Sequence, residues 1–369
     1  MKFNTDKRIV MTLDAGGTNF VFSAIQSNEQ IIDEIKFPSN ADNLDLCLQT
    51  IVDGFTRVKS ELKEKPVAIS FAFPGPADYP NGIIGDLPNL PAFRGGIAVG
   101  PMLKEKFGLP VYINNDGDLY AYGESIAGFL PYVNDALEKV GSPKRFKNLL
   151  GLTLGTGFGA GIVRNGELFI GYNSMAGEIW LVRNKVDPET NIEENASIRG
   201  IQNVYMREAG LDSNKIPTPK EIYDIGRGEL EGNKDAAIKA FQTMAEAVGD
   251  AIANVITMID GLVVIGGGLA GAHSLFLDDL VSEMNSDFIK PDGSTIKRLV
   301  ANVYNLEDEN MFKKFLKGDA KEITVPGPDK KIMYDPEARI GVGISKIGTS
   351  KAISIGAYAF ALHSLDKNK

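Results

Sequence analysis

The chain has 369 residues, of which 43% are hydrophobic and 24% charged, and its formal net charge of −9 argues against a nucleic-acid-binding surface as its main function. That length suggests about two domains, and the single cysteine, Cys47, excludes a disulfide framework and a cysteine-cluster zinc site. The amino terminus is short and polar, and no long apolar run occurs, so neither a secretory signal nor a membrane span is predicted and we expect a cytoplasmic protein.

The first elements read as strand, glycine turn and strand. Apolar residues 9–13 and 20–25 flank the turn at residues 14–19, which predicts a β-hairpin. A third strand is expected at residues 31–35. Apolar residues at helical spacing then predict a helix from 44 to 62.

The middle of the chain repeats this layout. A buried strand is predicted at residues 67–73, and a short strand at 111–113 runs into a helix through Ala121 and Ile126. Residues 148–163 then form a second strand–glycine turn–strand unit.

The last third combines one clear region with one unclear region. A helical stripe at residues 241–259 precedes a strand at 262–265, and a final helix is expected around 352–362. The stretch 277–348 is charged and rich in Pro and Gly, and its pattern predicts no particular elements.

Three glycine-rich turns each follow a predicted strand. Small residues allow backbone N–H groups to converge on an anion such as phosphate. The turns contain Asp14, Gly16, Gly17, Thr18 and Asn19; Gly155, Thr156 and Gly157; and Gly266, Gly267 and Gly268. One such turn alone is also typical of an ordinary hairpin, or of a strand-to-helix connection for the third. Two of them on similar hairpins favour phosphate binding, and a carboxylate at Asp14 fits a site that also holds Mg²⁺.

These turns differ from the two most familiar nucleotide motifs. The P-loop pattern G-x-x-x-x-G-K-[ST] does not occur. The first unit is strand–turn–strand and not strand–turn–helix, so it does not match the dinucleotide fingerprint either. A P-loop NTPase and a nicotinamide-dependent enzyme are therefore both disfavoured.

Asn115 and Asp116 follow a predicted strand and open a helix. An aspartate there is typical of a helix N-cap. Alternatively, it is a carboxylate at the carboxyl end of a strand, where ligands bind in α/β proteins, and it could accept the proton of an attacking hydroxyl in phosphoryl transfer. Asp118 is a competing candidate that we expect to be solvated. Asn89, in a Pro-rich loop, and Glu178 are each compatible with a plain turn or with a ligand contact.

Together these segments resemble the ROK family (repressors, open reading frames and kinases), whose enzymes phosphorylate sugars. Order, spacing and sequence agree over most of the chain. The matching segments are Leu13 to Asn19, Phe73-Pro74-Gly75-Pro76, Asn89, Asn115-Asp116 with Gly123-Glu124 downstream, Gly155 to Gly159, Gly177-Glu178-Ile179, Glu193 to Ser197 and Gly266-Gly267-Gly268.

The resemblance implies a role for each matched residue. Asp116 would be the general base, and sugar hydroxyls would be held by Asn89, Asn115, Glu178 and Glu193. The first two glycine turns would surround the phosphates of ATP, with Asp14 near Mg²⁺, and the third would face the adenosine.

The chain departs from the family pattern after Glu178. Members usually continue G-E-I-G-H and then carry three cysteines that bind zinc with that histidine. Here Trp180 and Leu181 follow Ile179, and Leu181 stands where the histidine would be. We therefore expect no structural zinc. Trp180 would stack on a sugar face or fill the space of the missing zinc loop, and the second interpretation is slightly favoured.

The resemblance also implies the architecture. The expected fold class is α/β, a two-domain actin-like ATPase (ribonuclease H-like) fold. Each domain would have a mixed β-sheet with flanking helices, and the active site would lie in the interdomain cleft. We expect residues 1–115 plus 352–369 to form the smaller domain, with the first phosphate motif and the sugar loop. Residues 116–351 would form the larger one.

Three functions fit this family. The leading hypothesis is ATP-dependent phosphorylation of a hexose or N-acetylhexosamine, glucokinase-like, with ATP and Mg²⁺ as cofactors. The alternatives are a transcriptional repressor and a sugar-binding protein without kinase activity. The dozen residues before Asp14 are too few for a helix-turn-helix, which disfavours the repressor. We expect a small-molecule sugar partner, no nucleic acid and no membrane; the sequence is compatible with a homodimer but does not decide it.

Overall fold

The computed structural model describes residues 3–16, 18–75, 77–87, 90–212, 216–327 and 330–367. The chain divides into two compact units. Unit 1 comprises Met1–Pro131, Gly161–Gly177 and Ile347–Lys369, and unit 2 comprises Tyr132–Ala160 and Glu178–Lys346.

The described part of the chain contains both helices and strands, in runs of one kind as well as in alternation. The helices are α1 (Leu44–Glu61), α2 (Val99–Phe107), α3 (Asp116–Ile126), α4 (Phe129–Lys139), α5 (Ile198–Ala209), α6 (Pro219–Arg227), α7 (Lys234–Ile259), α8 (Leu277–Met284), α9 (Glu309–Lys317) and α10 (Thr349–Lys367). The strands are β1 (Val10–Ala15), β2 (Asn19–Gln26), β3 (Glu29–Gln30), β4 (Ile35–Pro38), β5 (Ala68–Ala72), β6 (Ala77–Asp78), β7 (Ile83–Ile84), β8 (Val111–Asn114), β9 (Leu149–Leu154), β10 (Phe158–Arg164), β11 (Glu167–Leu168), β12 (Leu262–Gly266), β13 (Asp287–Ile289), β14 (Thr295–Lys297), β15 (Asn302–Asn305), β16 (Lys321–Thr324), β17 (Lys331–Tyr334) and β18 (Arg339–Ile344).

Unit 1 is built on a mixed sheet in the order β3-β2-β1-β5-β8, with β4 also paired to β2. β1 runs antiparallel to β2, while β5 pairs parallel to both β1 and β8. Three parallel strands therefore end at one edge of this sheet. The third strand predicted at residues 31–35 is wrong in position. Two short strands, β3 and β4, pair with β2 there, and residues 31–34 lie between them.

Helices cover both faces of the unit 1 sheet. α1 begins at its N-cap Asn43, whose side chain accepts from the Leu46 N–H at 3.1 Å, and buries Cys47, Ile51 and Phe55 in the core. On the other face α10 crosses α3 so closely that a Cβ on Gly123 would meet the Ala352 carbonyl, and one on Gly356 the Leu119 carbonyl. Glycine is required at this crossing because the two backbones touch.

Unit 2 also contains a sheet. β9, β12, β18 and β15 hydrogen-bond in that order, and each neighbouring pair is parallel. These strands are largely apolar, and β12 is fully buried, as is typical of parallel strands covered on both faces. The long helix α7 packs on α5 and α8 in the same unit.

The stretch 277–348, which the sequence pattern left open, supplies two strands of this sheet. β15 and β18 complete its edge, and α8 and α9 join them. The same stretch also forms two exposed hairpins, β13–β14 and β16–β17. The sequence is hard to interpret here because short amphipathic strands of a hairpin lack a long periodic signal.

The two units differ from the domain bounds expected from the sequence. Residues 116–131 and 161–177 are counted with unit 1, not with the larger domain. The physical reason for the first difference is the close crossing of α3 with α10. Within the described residues, no helix has both the length and the apolar character needed to cross a bilayer.

Candidate active site

The first glycine turn joins β1 to β2 in unit 1. The Gly16 N–H donates to the Asn19 carbonyl at 3.1 Å, which closes the turn on itself. A Cβ on Gly16 would lie 2.9 Å from that same carbonyl oxygen, so the tight turn has no room for a side chain. Thr18 is exposed beside it, as a phosphate ligand would have to be. Gly17 lies outside the described residues.

Asp14 and Asp116 are brought to one edge of the unit 1 sheet. Asp14 is near the end of β1, and Asp116 follows β8, two strands that both run parallel to β5. Asp14 is exposed, yet the density of protein around it, and then the negative charges of Asp116 and Glu34, raise the pKa of its carboxyl. This like-charge repulsion disfavours the ionised form of the Asp14 carboxyl.

At the amino terminus of α3, one residue caps the helix and the next one carries the candidate catalytic carboxylate. The N-cap is Asn115, whose side-chain oxygen accepts from the Gly117 N–H at 2.8 Å. Asp116 is the first helical residue, and its Oδ1 also accepts from Gly117 N–H, at 2.9 Å. The N-cap interpretation of Asp116 is therefore wrong, because Asn115 occupies that position. Asp116 is solvent-accessible, but the surrounding protein raises the pKa of its carboxyl, an effect that the Gly117 N–H partly offsets.

Two other predicted residues of unit 1 have different outcomes. Asp118 is 2% exposed, so the expectation that it is solvated is wrong. It lies one residue beyond Gly117 on α3, on the face that the helix turns into the protein. Asn89 and the neighbouring Pro88 lie outside the described residues, and the sugar-loop role of Asn89 stays a prediction.

The second glycine turn, between β9 and β10, is held by a carboxylate from elsewhere in unit 2. Oε2 of Glu193 accepts from the Phe158 N–H at 3.0 Å, and a Cβ on Gly157 would come within 2.8 Å of that oxygen. The Gly155 carbonyl accepts from the Ile198 N–H at 2.8 Å, which ties the turn to the start of α5. Thr156 is exposed at its tip. Sequence spacing gave no sign of this contact, because Glu193 is distant along the chain.

The third glycine turn lies next to the second. Since β9 and β12 are parallel neighbours, their following turns meet at one sheet edge. Gly267 has φ +86° and approaches the Leu154 carbonyl too closely for a Cβ, and the Leu269 N–H donates to that carbonyl at 3.0 Å. Gly268 is exposed beside Gly155. Unit 2 thus presents two glycine turns side by side, with backbone that a flat ligand and a phosphate chain can approach.

Two short 3₁₀ helices pack together in unit 2; Glu178 is the N-cap of the first and Glu193 lies within the second. Ile179–Leu181 forms the first and Ile192–Glu194 the second. The Ile192 N–H donates to the Val182 carbonyl at 2.8 Å, which joins the two turns. Glu178 is exposed, and the indole N–H of Trp180 donates to its Oε2.

A buried asparagine links several residues of the segment between these two 3₁₀ helices by hydrogen bonds. Asn184 donates to Thr190 Oγ1 at 3.1 Å and to Asn195 Oδ1 at 2.6 Å, and its own oxygen accepts from the Val186 N–H. This is the stretch in which the resemblance leads one to look for zinc ligands. Over the described residues, no group of three or more His, Cys, Asp or Glu side chains is placed to hold a metal ion. Cys47 is in the core of unit 1, where burial raises the pKa of its thiol to about 11.

Comparisons with known proteins agree with this geometry. Residues 10–306 match the ROK family. The chain belongs to the ROK family. A crystal structure of glucokinase from Parabacteroides distasonis is 53% identical, with a TM-score of 0.90, and the alignment covers 98% of this chain and 99% of that one.

More distant relatives extend the likeness. N-acetyl-D-glucosamine kinase of Vibrio parahaemolyticus is 27% identical over 274 residues, which are 71% of this chain and 85% of that protein. A ROK hexokinase from Thermus thermophilus is 18% identical with a TM-score of 0.66, covering 97% and 99% of the two chains, and shows the shared fold. The predicted family and the two-domain actin-like α/β fold class are thereby confirmed.

Sequence reasoning missed two contacts within this site. It treated Trp180 as a stacking or filling side chain and did not anticipate its hydrogen bond to Glu178, although the two residues are only two positions apart. It assigned Glu193 to the sugar alone, whereas the structure also bonds it to the second glycine turn.

Proposed function

We propose that this protein is an ATP-dependent sugar kinase that transfers the γ-phosphoryl group to a hydroxyl of a hexose or N-acetylhexosamine. The observation that carries the proposal is the placement of Asp116. Its carboxylate stands at the carboxyl end of a parallel strand, on the first residue of α3, while Asn115 performs the capping. The family membership and the 53% identity to a glucokinase support the same reaction.

Asp116 acts as the general base in this proposal. It accepts the proton of the sugar hydroxyl as that oxygen bonds to the γ-phosphorus, and the bond to the β,γ-bridging oxygen breaks to release ADP. The protein packed around the accessible Asp116 side chain raises its pKa, which makes its carboxylate a stronger base than an ordinary aspartate. A positioned base contributes about 10²–10⁴-fold to rate.

The glycine turns hold ATP. Backbone N–H groups and the hydroxyls of Thr18 and Thr156 are suited to bind phosphate oxygens. Gly266, Gly267 and Gly268 provide the flat backbone against which adenosine lies. The side-by-side position of the second and third turns supports this arrangement, because one nucleotide presents base and phosphates a short distance apart.

Mg²⁺ fits the carboxylate edge of unit 1. Asp14 is exposed, and the neighbouring charges of Asp116 and Glu34 add to the rise in its pKa, which a divalent cation would relieve. Asp14 would hold the ion, directly or through water. When bound, the ion neutralises charge on the phosphates of ATP.

The sugar is held by Asn89, Asn115, Glu178 and Glu193. The oxygen of Asn115 caps α3, so its amide nitrogen is the atom that would donate to a sugar hydroxyl. Glu193 bonds the Phe158 N–H through Oε2 and so joins the sugar side to the phosphate turn within unit 2. The expectations of a zinc-free protein and a cytoplasmic location stay predictions, and the oligomeric state stays undecided. Elemental analysis of purified protein for one tightly held zinc per chain tests the first expectation.

A direct assay tests the proposal. ATP consumption and sugar-phosphate formation are measured with glucose, fructose, mannose, N-acetylglucosamine and N-acetylmannosamine. Glucose is the first substrate to examine, because the 53% identical structure is that of a glucokinase. Turnover of at least one sugar supports the proposal. No turnover on any of them, together with measurable sugar binding, would instead indicate a sugar-binding protein.

A further inference from the structure

We propose that Trp180 is a positioning residue for the sugar-binding carboxylate Glu178, and that it acts through its indole N–H. The proposal rests on the sugar-kinase function above. Its basis is the hydrogen bond from Trp180 Nε1 to Glu178 Oε2. The two residues belong to one 3₁₀ turn, with Glu178 as its N-cap and Trp180 at its centre.

The turn that carries both side chains is fixed to the body of unit 2. Ile179, between them, is 4% exposed and anchors the turn in the interior. At the far end of the turn the Ile192 N–H donates to the Val182 carbonyl. In the segment that follows, the buried Asn184 side chain donates to Thr190 and Asn195. A half-buried indole on such a turn is a rigid donor, whereas a flexible Lys or Arg would not be.

The Glu178 side chain needs such a donor. It is exposed, and a free glutamate in water samples many rotamers that would have to be lost on binding a sugar. The indole N–H selects one of them before the sugar arrives. Among the described residues, no hydrogen bond reaches the other oxygen, Oε1, which is therefore the atom that accepts from a sugar hydroxyl.

Trp180 lies in the segment after Glu178 where the chain departs from the family pattern. Leu181 stands at the position of the usual histidine, and its side chain has no polar atom that could orient a sugar hydroxyl or a carboxylate. The polar contact on this side is the bond from the Trp180 N–H to the Glu178 side chain. Recognition of a polar sugar by a pre-oriented carboxylate lowers the cost of binding and not the chemical barrier.

Kinetics distinguish positioning from packing. Trp180→Phe keeps an aromatic ring and removes the N–H, and Trp180→His restores a ring N–H donor. We expect Trp180→Phe to raise the KM for D-glucose, or for whichever sugar of the panel is turned over, about tenfold, the effect of one charge-assisted hydrogen bond. The KM for ATP should stay unchanged, and Trp180→His should recover part of the loss. An unchanged sugar KM, or an equal rise in both KM values, would overturn the proposal.

Fluorescence gives a readout that needs no turnover. Trp180 is the only tryptophan in the chain, so indole emission reports this turn alone. Adding D-glucose without ATP should change the emission of the wild-type protein, and Glu178→Gln should shift the emission of the sugar-free protein. Emission that responds to neither overturns the proposal, even if Trp180→Phe fails to fold.

The two proposals fail in different ways. A wild-type protein that phosphorylates glucose while Trp180→Phe retains the same sugar KM refutes only the positioning role. A wild-type protein that neither binds nor phosphorylates any sugar of the panel refutes the proposed function itself.

Discussion

The first two glycine turns have the same local sequence plan, but the carboxylate beside each of them comes from a different place in the chain. In unit 1 the turn is closed by its own backbone, and Asp14 comes from the strand that leads into it. In unit 2 the turn is bonded to Glu193, a residue more than thirty positions later. The first turn is therefore a local device, and the second depends on the packing of a separate 3₁₀ helix. A repeated motif predicts the backbone conformation, but it does not predict what holds that backbone.

We expect the largest difference in activity when the carboxylate of Asp116 in unit 1 and that of Glu193 in unit 2 are each replaced by an amide. Asp116→Asn should lower kcat by about 10²–10⁴-fold, because it removes the base, while sugar binding stays nearly intact. Glu193→Gln keeps an acceptor for Phe158 N–H and should cost only about tenfold, or ~1.4 kcal/mol. Steady-state kinetics check both values.

Asp118→Asn is the control for the base assignment. Asp118 is the alternative carboxylate on the same helix, and it is buried, so its substitution should show as a lower melting temperature with kcat largely kept in the folded fraction. Near-normal kcat in Asp116→Asn would contradict the assignment.

Adding a methyl group to each turn sharpens the comparison. In Gly16→Ala the new Cβ meets the backbone oxygen of Asn19, which cannot move without opening the turn, so we expect a loss of about 1–3 kcal/mol in stability and a clear rise in the KM for ATP. In Gly157→Ala the Cβ meets the end of the flexible Glu193 side chain, and the loss should be smaller.

A double substitution tests that explanation. If the cost of Gly157→Ala comes from Glu193, it should nearly vanish in a Glu193→Ala background, which a double-mutant cycle measures. An equal cost in both backgrounds would show that the second turn is as self-contained as the first.

The pH dependence of activity should report the aspartates of unit 1. In the proposed mechanism Asp14 and Asp116 both act ionised. Both carboxyls have a raised pKa, so kcat/KM should fall on acidification at a pH above the ordinary aspartate range of about 3.9. Measurement of kcat/KM across acid and neutral pH checks this, with Glu193→Gln as a control that keeps both aspartates. An acid limb within the ordinary aspartate range would contradict the assignment.

The smallest expected effect is that of Asp116→Asn and Glu193→Gln on the melting temperature, which one substitution should raise and the other should lower. The folded state raises the pKa of Asp116, so its charged form is disfavoured and costs stability once the pH exceeds the folded pKa. Asp116→Asn should therefore raise the melting temperature slightly at neutral pH, with the gain shrinking as the pH falls through the folded pKa. Glu193→Gln should lower it, because it weakens a bond in the native state. Thermal melts at several pH values compare the two variants.

Much of this protein could be read from local sequence. The periodicity of residues 44–62 predicted α1 nearly to its ends, and the repeated strand–glycine–strand plan located the first two glycine turns, because backbone geometry at a glycine turn depends on few neighbours. The order of the motifs also identified the family, which the comparisons confirmed.

Only the tertiary structure showed which of these segments contact one another. The partner of the second turn, the burial of Asp118, the assignment of α3 to unit 1 and the bond between Trp180 and Glu178 all depend on which segments pack together. Residues that are distant along the chain leave no periodic signal of their contact. The sequence by itself determined the local backbone and the kind of chemistry, while packing determined which side chain supports each functional group.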